Sequence, residues 1–147
     1  MKGRESREQK QDAALIEKML AGSGYSQRAI RYFIEKPHMG EIPDADQVSD
    51  LTGTCGDTMR IWLKIKDGVI QDARYQVIGC PGAVAAAMAL VDLIRGKKIK
   101  DARKLNDGDV FRLLENLPDQ KNHCIELAVK TFQKALNDYT QKTKQQR

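Results

Sequence analysis

MRIWLKIKDGVIQDARYQV, residues 59–77, decides how this chain folds. Ile61, Leu63 and Ile65 alternate with Arg60, Lys64 and Lys66, the period of two that turns one face of a strand to a core and the other to water. Asp67-Gly68 interrupts the run and a second extended run follows, so the stretch reads as a β-hairpin. Downstream, Gly79-Cys80-Pro81-Gly82 leads into AVAAAMALVDLIRG, an alanine-rich helix closed by Gly96. Short helices follow through Leu114, a break at Leu117-Pro118, and a last helix from about Asn122 to Tyr139 ahead of a polar tail. Upstream of the hairpin stands LTGTCGD, residues 51–57, with a cysteine and a carboxylate on either side of one glycine. Residues 38–50 read as loop. Before them Ser26 caps a helix whose Ala29, Ile30, Phe33 and Ile34 share a face until Pro37 stops it. Asp12 caps a shorter helix with Leu15, Ile16, Met19 and Leu20 on one side, ended by GSG at 22–24.

Strands grouped in the middle with helices on both sides in sequence mean an α+β fold: a small antiparallel sheet of about three strands packed against helices, with a long C-terminal helix. The chain has 147 residues, 41% hydrophobic and 31% charged, enough for one domain with one core. No repeat or linker divides it. The net charge of +5 would suit nucleic acid, but lysines and arginines are interleaved with acids along the chain and aromatics are few, which disfavours that partner. No apolar run approaches a membrane span, and MKGRESREQKQD is charged where a secretion signal would be apolar, so a cytoplasmic protein is expected.

Three cysteines, an odd number, cannot all pair within one chain, and a cytoplasmic domain of this size needs no disulfide staples. Each stands at the end of an element: Cys55 with Asp57 in the loop before the hairpin, Cys80 between its last strand and a helix, Cys124 beside His123 at the start of the last helix. Cys80 lies where unpaired backbone N–H groups and the helix dipole favour a thiolate, and Pro81 suits an early helix position. Three sulfurs with one imidazole or carboxylate make a four-ligand set for zinc or for an iron–sulfur centre, although the tight CxxC pairs of a zinc knuckle are missing. The bland readings are that single cysteines are buried as small hydrophobes, that Asp57 caps a turn, that His123 and Lys121 are surface residues, and that His38 is a solvent residue. For all three cysteines at once, burial alone explains little.

YSQRAIRYFIEKP, TCGDTMRIWLKIKDGVIQDARYQVIGC and LPDQKNHCIELAVKTFQKALNDY resemble, in that order, the scaffold proteins of iron–sulfur cluster assembly, the IscU and NifU N-terminal family. The resemblance covers about residues 25–140, which would be the scaffold domain, with 1–24 as an extension carrying the amphipathic helix and 141–147 as a polar tail. It implies that Cys55, Cys80 and Cys124 hold a transient [2Fe–2S] cluster, with Asp57 and His123 as alternating or additional ligands. It also implies a cysteine desulfurase as sulfur source and apo iron–sulfur proteins as acceptors. The departures are GCPGAVAAAM where the family has GCG and a serine-rich helix start, and LPDQK at Leu117–Lys121 where a heat-shock chaperone docks on LPPVK in bacterial scaffolds.

A scaffold must release what it builds, so three thiolates with one oxygen or nitrogen corner suit it better than four thiolates. Cys124, expected as an exposed thiolate that His123 helps to deprotonate, is the first candidate for a persulfide acceptor and Cys55 the second, with Lys121 steadying the thiolate. The same residues could instead bind zinc in a sulfur carrier for a desulfurase. An enzyme with Cys124 as nucleophile would leave Cys55 and Cys80 without a role, so a carrier is expected and not a catalyst. The N-terminal helix is expected to cover the sheet, with an oligomer contact as the other reading.

Overall fold

The computed structural model describes residues 7–54, 56–118 and 121–145. The hairpin forms as read, from β2 (Thr58–Lys66) and β3 (Val69–Ile78). Asp67 and Gly68 both take positive φ, 54° and 76°, the conformation that a two-residue turn needs to match the twist of its strands. The sheet is antiparallel in the order β1-β2-β3, and β1 spans Gln47–Thr52. Reading 38–50 as loop therefore missed most of an edge strand. The reason is chemical: the inward face of QVSDLT is Gln47, Ser49 and Leu51, and its buried residue is Ser49, whose hydroxyl donates to Asp138 at 2.8 Å, so Leu51 is the one apolar signal on that face.

Met59, Ile61 and Leu63 of β2 and Ala73 and Tyr75 of β3 are fully buried. α6 (Asn122–Gln145) lies on β1 and β2, and α3 (Pro81–Ile94) lies on β3 and against α6. α2 (Gln27–Glu35) and α5 (Asp107–Leu114) also pack on α3, which explains why Gly82 through Val91 are buried without interruption. A helix enclosed on every side is apolar all round, and its alanines let the neighbours come close. The Tyr75 hydroxyl donates to the Ala128 carbonyl at 2.9 Å and ties the sheet to α6. Ser26 caps α2 by accepting from the Ala29 N–H at 3.0 Å, and α4 (Ile99–Ala102) bridges α3 to α5.

Four expectations change. α1 runs Arg7–Gly22, so Asp12 sits inside it and not at its cap, and α1 packs chiefly on α2 and does not roof the sheet; Leu15 and Met19 stay exposed. α6 continues past Tyr139 to Gln145. His38 is buried, its Nε2 2.6 Å from Asp92 Oδ1 and its Nδ1 3.3 Å from an Arg95 nitrogen. A polar ring reading as solvent from its loop position is here the centre of a side-chain network. No helix among the described residues is long and apolar enough to cross a membrane.

Candidate metal centre

The antiparallel register sets the start of β2 beside the end of β3, with Thr58 opposite Ile78. The loop from β1 into β2 is closed by Gly53 N–H to the Asp57 carbonyl at 2.8 Å, so Asp57 emerges directly beside the exit of β3. Cys80 follows that exit as the N-cap residue of α3, with Pro81 in the first helical position where its missing N–H costs nothing. The first turn of α6 comes down on the same spot and brings His123 and Cys124. Gly82 permits this approach: a Cβ there would lie 3.3 Å from Lys121 Cβ and 3.5 Å from Cys124 Sγ.

The sulfurs of Cys80 and Cys124 are 3.4 Å apart. Asp57 Oδ2 is 3.7 Å from Cys80 Sγ, and His123 Nε2 is 3.6 Å from Cys124 Sγ. One ligand atom from each of Asp57, His123 and Cys124 falls within 4.8 Å of the others, a spacing that one metal ion can bridge. Four of the five residues singled out from the sequence thus meet at one place. Cys55 lies outside the described residues.

The two thiols divide their proton unequally. Cys80 is pushed down to about 6, first by the hydrogen bond from Cys124, then by the Ala83 amide at the helix start and the Lys121 ammonium, against the opposing effect of burial. Cys124 is pushed up, first because it donates to Cys80 and then by burial, so it is the member that keeps the proton. The Lys121 ammonium is in turn stabilised chiefly by the Cys80 thiolate. The expectation of an exposed thiolate at Cys124 is therefore corrected: its side chain is buried and its thiol pushed up, while the partly exposed Cys80 is the one pushed down. Tyr25 was not recognised as part of this neighbourhood. It is buried, and its hydroxyl is pushed up first by burial and then by the charge of Cys80. A lone tyrosine before a helix cap carries no signal that it will wall a site formed by segments far along the chain.

A family model described as NifU-like N terminal domain matches residues 24–146. The chain belongs to this family. It is 36% identical over 119 residues to the iron-sulfur cluster assembly scaffold protein IscU 1 of Archaeoglobus fulgidus, covering 80% of this chain and 78% of that protein. With IscU of Escherichia coli K12 it shares 32% identity over 123 residues, 80% of this chain and 95% of that protein. Among solved structures, the NifU-like N-terminal protein of Brucella abortus overlays with a TM-score of 0.67 at 18% identity, covering 84% of this chain and 99% of that one. A scaffold protein for the SUF system from Fervidobacterium islandicum AW-1 overlays at 0.63 with 22% identity, covering 76% and 96%. These overlays establish the NifU-like α+β fold.

Proposed function

We propose that this chain is a scaffold on which a [2Fe–2S] cluster is assembled and from which it is passed to apo-proteins. The observation that carries this reading is the convergence of Cys80, Cys124, Asp57 and His123 at one end of the sheet, in a chain whose relatives are named as iron–sulfur cluster assembly scaffolds. Cys55, Cys80 and Cys124 supply the thiolates, and Asp57 and His123 compete for the fourth corner. Sulfur arrives from a cysteine desulfurase. The thiolate of Cys124 attacks the outer sulfur of the donor's persulfide, the donor's S–S bond breaks, and the donor cysteine leaves as a thiolate. Burial of Cys124 requires the start of α6 to open first, and His123, 3.6 Å away, can take the thiol proton as it does so. Cys55 is the second candidate for this role. Lys121 holds the anion that forms beside it.

The protein's part is that of a carrier and not of a catalyst, acting on cargo that other proteins supply and receive. The zinc-bound sulfur carrier uses the same donors but is less favoured, because the relatives are named for cluster assembly. Leu117 of the LPDQK segment is buried, so a chaperone docking there would have to pull it out of the core. The test is anaerobic assembly with a desulfurase, cysteine and ferrous iron, followed by addition of an apo-ferredoxin. The reading requires a cluster spectrum on this chain that then moves to the ferredoxin; sulfur uptake with no iron chromophore would favour the zinc carrier.

A further inference from the structure

Asp57 and Gly79 come next in register beyond the Thr58–Ile78 pair, at the point where the hairpin opens into the site. In an antiparallel pair such opposite positions bring their side chains close together on one face. A Cβ on Gly79 would lie 2.7 Å from Asp57 Cγ and 2.9 and 3.0 Å from its two oxygens. Non-bonded carbons rest at about 3.5–4.0 Å, so that space is already taken. The obstacle is the carboxylate itself, which lies across the Gly79 backbone with Oδ2 pointing to Cys80 Sγ at 3.7 Å. Gly79 is absent from the residues with positive φ, so the backbone there does not call for glycine. Gly56, between Cys55 and Asp57, does take φ 91° and is explained by its turn. At Gly79 the reason for glycine is room.

We propose that Gly79 is a positioning residue for Asp57: its missing side chain is what allows the carboxylate to lie over the strand exit within reach of the Cys80 and Cys124 sulfurs. This rests on the metal-site reading above. An alanine would turn the carboxylate outward, removing the oxygen from the site while leaving Cys80, Cys124 and His123 in place. Gly79→Ala therefore acts as a copy of Asp57→Ala, made at a residue that offers no ligand atom.

The test is cobalt(II) titration of the full chain under reducing, oxygen-free conditions, read by ligand-field absorption and dissociation constant. Wild type, Gly79→Ala, Asp57→Ala and the double variant are compared. Gly79→Ala and Asp57→Ala should each weaken cobalt binding about tenfold, the size seen when the support of a metal ligand is lost. The two should share one altered spectrum, and the double variant should match either single one within about twofold, because only neighbours that act through each other fail to add. Gly79→Ala binding like the wild type while Asp57→Ala does not overturns the proposal and leaves the site standing; equal binding by all four overturns the role of Asp57 and this proposal with it. Fully additive losses also overturn it. If Gly79→Ala fails to fold, the double variant must fold like Asp57→Ala, since it no longer holds the clashing carboxylate; a double variant that also fails to fold contradicts the proposal.

Discussion

Cys80 and Cys124, 44 residues apart in the chain, meet sulfur to sulfur at 3.4 Å, where either thiol can donate to the other. A reduced pair this close behaves as one acid whose first proton leaves easily and whose second is held. The sign follows from the lowered value: the Cys80 thiolate is present above about pH 6 and is lost as the pH falls through it. Alkylation by iodoacetamide, mapped by mass spectrometry across pH, should label Cys80 with an apparent pKa near that value and leave Cys124 largely unlabelled. In Cys124→Ala the donor is gone, and the Cys80 labelling curve should move up toward that of an ordinary thiol.

Asp57 offers a hard oxygen to a site of soft sulfurs, and its bond to iron should be the one that exchanges. A lone divalent ion feels the loss of that oxygen directly. A cluster held by three thiolates feels it mainly when an incoming cysteine needs a corner to enter. Asp57→Ala should still assemble a cluster, hold it longer in air, and pass it to an apo-ferredoxin several-fold more slowly. Alanine at any of the three cysteines should abolish stable assembly. Transfer at the wild-type rate would make Asp57 a turn residue only.

Persulfide position is a separate matter. After one desulfurase turnover, mass mapping should find the added sulfur mainly on Cys124, and His123→Ala should slow its arrival by removing the proton acceptor 3.6 Å from that sulfur. Persulfide found only on Cys80 would show that the acceptor is the thiolate already exposed and that α6 need not open.

The stability of the frame can be changed apart from the site. Tyr75→Phe removes a buried hydroxyl that donates to Ala128 on α6, and should cost about 1 kcal/mol in denaturant unfolding. Cobalt binding should be unchanged, because Tyr75 holds the sheet to the second turn of α6 and not to its first.

The hairpin was legible because Ile61, Leu63 and Ile65 state the period of two and Asp67-Gly68 states the turn; both are local signals. Asp57, Cys80, His123 and Cys124 were legible as candidate site residues because thiols at element ends have few other reasons to be there, and the resemblance ties their order together. β1 was not legible, since of its inward residues only Leu51 is apolar and the buried one is Ser49, satisfied by Asp138 from the last helix. The protonation of the thiols was not legible either. Cys124 reads as exposed from its place at a helix start, and only the approach of α6 to Gly82 buries it and makes it the donor. Tyr25 and the space at Gly79 belong to the same class: each matters through a neighbour that sequence distance conceals.

On this reading, the residues meeting at the end of this sheet hold a cluster of iron and sulfide. The most direct measurement is the visible absorption of protein purified without oxygen and reconstituted with iron and sulfide, together with its metal and sulfide content. A [2Fe–2S] charge-transfer spectrum with iron and sulfide in equal amounts, lost in Cys80→Ala and in Cys124→Ala, is the predicted result. A colourless protein that takes up zinc through the same cysteines and gains no sulfide would contradict it.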